Sequence, residues 1–181
     1  MHSSTERRQQ SDFGVLVRVA GQALAVRAAP LFARVVASDP GAVGPPPAPL
    51  SWWSSSDDDV LRASDVIVLC FGGSRGTRIN ATTLAQMKPT AYLVVMAHGP
   101  GVDEAALYNA LHRSLIAGAA INEWWEGWGW RPPHGYGGFE SPSSFPFEQL
   151  SNVLLAPNDC EKSNVYWEES ARGVAANLDQ L

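Results

Sequence analysis

The feature that most constrains this chain is the recurrence of short, continuous apolar runs separated by helix-like segments. "GVLVRV" (14–19) is a β-branched run, "AGQALAVRAAPLFA" (20–33) reads as a helix, and "RVVASDP" (34–40) returns to strand. Two strands joined through a helix make a βαβ unit, and its strands must pair in parallel because no tight turn connects them. The pattern continues with apolar runs at "DVIVLCF" (65–71), "AYLVVMA" (91–97), "IAGAAIN" (116–122) and "NVLLAP" (152–157). The first of these is unbroken, as expected where both faces of a sheet are covered.

Helical segments fill the intervals. "SSSDDDVLRAS" (54–64) starts a short helix with Ser and Asp placed to cap its free N–H groups, and Asn80 caps "NATTLAQMK" (80–88). "DEAALYNALHRS" (103–114) carries acids in its first turn, where the helix dipole favours them, and "NVYWEESARGVAANLDQL" (164–181) is a closing amphipathic helix. The expected architecture is α/β: a single domain over 13–181 built on a doubly wound, Rossmann-like parallel sheet, behind a polar leader at 1–12.

Two segments do not fit the alternation. Residues 39–51 form a Pro/Gly loop, too stiff and donor-poor for a helix. Residues 123–146 have no usable period, and a loop of that length inside a compact domain is usually functional or disordered. It holds Trp124, Trp125, Trp128 and Trp130 with His134 and Tyr136. That much aromatic area is not left in water without a role. It can be a lid over a small organic ligand, a homodimer contact, a plug over an otherwise open surface, or a cation-binding cage.

Composition narrows the classes. A formal net charge of −5 argues against a nucleic-acid partner, which would need a basic face. With 45% hydrophobic and 17% charged residues the chain is an ordinary globular one. No apolar run approaches the ~20 residues that span a bilayer, and the leader "MHSSTERRQQSD" lacks an apolar core, so no membrane contact and a cytoplasmic location are expected. Of the 13 basic residues only Lys88 and Lys162 are lysines; this Arg bias, with abundant Ala, hints at a GC-rich bacterial source. Cys70 and Cys160 lie far apart without metal-ligand spacing, so Cys70 is expected as a buried reduced thiol and no metal site is expected.

The segments "SDVIVLC", "INATTLAQMKPTAYLVVMAHGPGVDEAALYNAL", "IAGAAINEWW" and "PFEQLSNVLLAP", in this order, resemble the nucleotide-binding domain of the D-isomer-specific 2-hydroxyacid dehydrogenases. The resemblance implies the same Rossmann-like fold, an NAD site and an arginine–histidine–glutamate catalytic set. It also implies a separate substrate domain, for which the 12-residue leader leaves no room.

Position by position, the implied residues differ. The family's G-x-G-x-x-G loop, whose glycines let backbone approach a pyrophosphate, reads "LVRVAG", so Leu16 and Arg18 replace two glycines and Gly21 keeps the third. Asp39 holds the place of the acid that grips the adenosine ribose, or else simply turns the chain at an Asp-Pro step. His98 stands where the family's carboxylate-binding arginine is expected, and an imidazole cannot form that permanent bidentate clamp. Asn158 stands in the place of the general acid/base histidine, and an amide moves no proton near neutrality. Asn122 replaces an aspartate facing the nicotinamide amide. The catalytic glutamate's place falls near Gly127, and Glu123 and Glu126 lie close to it but off register.

Two readings follow. In one, the degenerate fold needs no cofactor and performs non-redox acid/base chemistry on a small organic molecule, with His98 and a carboxylate such as Asp159, Glu161 or Glu126. In the other, it is a non-catalytic pseudoenzyme acting by self-association or through a protein partner. Weak NAD binding, with Gly21, Arg18, Asp39 and Asn122 as remnants, is a third possibility.

Overall fold

A computed structural model describes residues 11–16, 19–70, 77–96, 101–125 and 143–156, with backbone only at 15, 16, 19 and 20. The elements run β1 (Asp12–Leu16), α1 (Val19–Ala28), β2 (Arg34–Ser38), β3 (Trp52–Ser54), α2 (Asp57–Ala63), β4 (Val66–Leu69), α3 (Ala81–Leu84), β5 (Tyr92–Val95), α4 (Glu104–His112), β6 (Gly118–Ile121), a 3₁₀ turn (Phe147–Gln149) and β7 (Val153–Leu155). The strands form one seven-stranded parallel sheet in the order β3-β2-β1-β4-β5-β6-β7. This is the doubly wound, Rossmann-like architecture expected from the alternation.

Side-chain alternation splits the sheet into two faces. Val36, Ile67, Leu69, Leu93, Val95, Ala119 and Ile121 point to a first face, covered by Val60 and Leu61 of α2, Leu84 of α3, and Leu107 and Leu111 of α4. Phe13, Val35 and Val68 point to the second face, where Ala25 and Ala28 of α1 cover them. The chain steps outward through β2 and β3 with α1 on one face, then returns past β1 with its helices on the other. A uniformly right-handed crossover requires that reversal. The reversal leaves a crevice at the strand C-termini beside β1, the usual ligand position in such sheets.

Several local expectations are corrected. The first strand begins at Asp12 rather than residue 14, because Phe13 and Gly14 pair with both β2 and β4. Helix α1 stops at Ala28 instead of running to residue 33, since Pro30 supplies no N–H to continue it. A strand falls at Trp52–Ser54, ahead of α2, where none was expected; Trp52 and Trp53 pair with Val36 and Ala37. Asn80 does cap α3 through Thr82 and Thr83 N–H groups, but that helix is only one turn. In α2 the expected capping fails: Ser56 occupies the N-cap without a side-chain bond, while Asp57 and Asp59 accept from Ser38 and Ser54 instead. In α4 the acid at the cap works as expected, Asp103 accepting from the Ala106 N–H at 2.9 Å. The closing helix at 164–181 lies outside the described residues.

The strand N-termini, remote from the crevice, are tied by charge. Buried Asp12 pairs with Arg34, Asp65 accepts from the Asp12 N–H at 2.9 Å, and Lys88 bridges to Asp65 at 2.8 Å. No helix among the described residues is long and apolar enough to cross a membrane.

Candidate functional site

The C-terminal end of β2 delivers Asp39 to the rim of the sheet, and the parallel pairing of β2 with β1 brings it beside the first turn of α1. Between them lies a cavity of about 350 Å³, walled by Gly21 and Val26 of α1, Asp39, Pro47 and Leu50 of the Pro-rich stretch, and Trp53 of β3. Gly21 is buried there. Its missing side chain keeps the start of α1 open to whatever occupies the cavity.

Asp39 is held firmly. Its N–H donates to Ser54 O at 2.9 Å, its carbonyl accepts from Ala42 N–H at 2.8 Å, and its Oδ1 accepts from Gly41 N–H at 2.8 Å. Asp39 thus forms an Asx turn and also lines the cavity. Trp53 Nε1 donates to Gly44 O at 2.9 Å, which ties the Pro-rich stretch against β3 and fixes the opposite wall.

On the other face of β2 stands a buried polar group. Ser38 Oγ donates to Asp57 Oδ1 at 2.5 Å, and the Arg78 guanidinium pairs with Asp57 and approaches Ser38 Oγ at 3.5 Å. Burial pulls the Arg78 guanidinium down to about 10, while the charge of Asp39 pulls it up, so it stays cationic at neutral pH. Arg78 thus places a positive charge behind Asp39.

Of the expected site residues, Gly21 and Asp39 are brought together at one cavity. Asn122 is buried at the end of β6, with its N–H on Val95 O at 3.0 Å, and does not line that cavity. Arg18, His98, Glu126, Asn158, Asp159 and Glu161 lie outside the described residues. Trp124 and Trp125 are built into the first-face core: Trp125 stacks on Phe147 at 5.4 Å, and their Nε1 groups donate to Ala156 O and Val102 O. These two rings are partly buried members of that core, while Trp128, Trp130, His134 and Tyr136 lie outside the described residues. Among the described residues no group of three His, Cys, Asp or Glu side chains could hold a metal ion.

Sequence reading missed Trp53, Pro47 and Leu50 as cavity walls, although the Trp-Trp pair between a Pro-rich loop and an acidic helix start was the available signal. Cys70, at the end of β4, is a free thiol as expected, though half-buried rather than fully so. Burial pushes its pKa up from 9.0 to about 11. Because only the thiolate reacts, alkylation of Cys70 at pH 8 is expected to run about 100-fold slower than for a thiol of unshifted pKa, measured by mass spectrometry of iodoacetamide-treated protein.

Comparison with known proteins places this geometry. The sequence profile described as "D-isomer specific 2-hydroxyacid dehydrogenase, NAD binding domain" matches residues 13–158. A D-lactate dehydrogenase from Treponema pallidum is 39% identical over 105 residues, covering 56% of this chain and 31% of that protein. A glyoxylate reductase from Thermofilum pendens is 32% identical over 124 residues, covering 66% of this chain and 32% of that protein. Among solved structures, the Treponema pallidum D-lactate dehydrogenase superposes with a TM-score of 0.72 at 31% identity, over 87% of this chain and 48% of that one. A D-lactate dehydrogenase from Sporolactobacillus sp. gives 0.75 at 28% identity, over 94% and 53%. The chain spans about a third of the length of these curated relatives and about half of these solved chains. By the profile that runs from its first strand past its last, this chain belongs to the D-isomer specific 2-hydroxyacid dehydrogenase family, through that family's NAD binding domain.

Proposed function

We propose that this chain binds the adenosine half of a nicotinamide dinucleotide in the cavity beside Asp39, and that it does not transfer hydride to a 2-hydroxy acid with the family's own residue set. The observation that carries the reading is that Gly21 and Asp39, two positions where the family holds its cofactor, line one cavity. A carboxylate at the end of β2 accepts hydrogen bonds from the two hydroxyls of a ribose, and the Val26, Leu50 and Trp53 walls suit the flat apolar faces of a base. A bound dinucleotide would supply the nicotinamide as hydride donor or acceptor.

The catalytic half of the proposal comes from residue identity. With His98 in the arginine's place and Asn158 in the histidine's, neither the bidentate clamp nor the proton donor for a 2-hydroxy acid is present in that set. Proton transfer at the crevice then falls to His98, with Asp159 as its partner, acting on a small organic molecule.

The test is a titration of NADH against tryptophan fluorescence, with Asp39→Ala in parallel. Losing hydrogen bonds to a charged group costs about 1.5–3 kcal/mol, so the variant is expected to bind about 10–100-fold more weakly. NADPH is expected to bind less tightly than NADH, because its 2′-phosphate would meet the Asp39 carboxylate. Absence of binding by the unaltered chain at millimolar NADH would sink the cofactor proposal. Full lactate or glyoxylate turnover would sink the catalytic one.

A further inference from the structure

Among the described residues, the second sheet face is covered on only one side. Phe13, Val35 and Val68 lie under α1, but beyond β4 the same face carries Tyr92 at 54% exposure and Leu154 at 69%. Between them runs a groove of about 550 Å³, lined by Tyr92, Val94, Ala120, Asn152 and Leu154. Its walls are mostly apolar, and Leu154 sits on the edge strand β7.

Topology explains why the groove is bare among the described residues. From β3 onward, right-handed crossovers send the chain's helices to the first face, so none of α2, α3 and α4 can reach this groove. The Trp124–Trp125 segment packs on the first face as well. Leu50 of the Pro-rich stretch packs beside α1, in the half of the second face that is already covered.

We infer that residues 164–181 dock in this groove as an amphipathic helix. They follow β7, which forms the groove's outer wall, after an interval of eight residues. Trp167, Ala171, Val174, Leu178 and Leu181 recur at spacings of four, three, four and three, which puts all five on one stripe, with Glu168, Glu169, Arg172 and Asp179 away from it. A helix of this length is marginal in water by itself and needs a face to bury that stripe. The reach is sufficient: residues 157–163 span at most about 23 Å extended, whereas β7 to β5 is about 10 Å. The docked segment covers the second face without a crossover, because it follows the edge strand β7.

The test uses the full chain with Cys160→Ser, in which Cys70 reacts slowly, and with Leu154→Cys as a reporter in the groove. The introduced thiol is expected to react with a maleimide about tenfold or more slower than in the same chain carrying Val174→Asp and Leu178→Asp, because labelling must wait for local opening. Asn177→Asp, off the stripe, is expected to keep the protection and so separates docking from general loss of structure. Labelling of the reporter at the rate of a free thiol would overturn the inference. So would protection that grows with protein concentration alongside a doubled mass by light scattering, because a second copy would then be the occupant.

Discussion

Phe147→Ala is expected to remove about 3–5 kcal/mol of stability, the range for deleting a buried phenyl ring from a packed core. Phe147 is 1% exposed and joins elements far apart in sequence. Its ring stacks on Trp125 at 5.4 Å, meets Trp124 edge-on at 6.1 Å, and meets Tyr108 of α4 edge-on at 5.3 Å. Two contributions add: the ring's transfer from water, and aromatic pair geometry worth about 0.5–1.5 kcal/mol beyond area. Collapse of the site is hindered because both tryptophans are anchored by their own N–H groups, on Ala156 O at 3.0 Å and Val102 O at 2.6 Å. The cavity would therefore stay open and carry its full cost. With a urea slope of about 1–3 kcal/mol per molar, the unfolding midpoint is expected to fall by 1 M or more, and Phe147→Leu to recover much of the loss. A shift under about 1 kcal/mol would mean that the aromatic cluster does not behave as part of the first-face core.

How much of this could be read from sequence depends on where the physics is local. The parallel α/β alternation was legible because apolar runs of strand length recur between caps, and those caps are local chemistry: Asn80 and Asp103 do what their positions suggest. Strand β3 was not legible. Three residues, Trp52 to Ser54, are too short for a period, and their extended conformation comes from pairing with Val36 to Ser38, a contact no local pattern announces. The acids of α2 show the converse: Asp57 looked like a cap, but Ser38 and Arg78 claim it from distant parts of the chain. At the site, Asp39 was legible as a strand-end acid, whereas Trp53 entered only once β3 existed to carry it. The tryptophans at 124 and 125 were legible as a cluster and not as core packing, since only the fold shows Phe147 between them and α4.

Gly14→Ala is expected to cost about 1–3 kcal/mol, the usual range for an added methyl in a closed core, and Gly14→Val more. An ideal Cβ on Gly14 would lie 2.2 Å from Ser64 Oγ, 2.9 Å from Ser64 Cβ and 2.7 Å from Val60 Cγ1. Such contacts are well inside van der Waals distance. Neither neighbour yields easily: Ser64 is fully buried at the C-cap of α2, with its N–H on Val60 O at 3.1 Å, and Val60 is fully buried one turn earlier. Alanine also stiffens the unfolded chain, which offsets only about 0.4–1 kcal/mol, so the clash wins. The mechanism makes a sharper claim than the size of the loss. Ser64→Gly removes both Ser64 atoms from the contact, so combining it with Gly14→Ala is expected to cost at least 0.5 kcal/mol less than the sum of the single changes. Ser64→Ala, which keeps the Cβ at 2.9 Å, is expected to rescue less. Strict additivity in chemical denaturation would show that the approach of α2 to β1 is not what requires glycine here. The same displacement has a functional consequence, because β1 is the strand that leads into α1 and sets where Gly21 meets Asp39. Under the proposed function, Gly14→Ala should therefore weaken NADH binding even at temperatures where the chain remains folded.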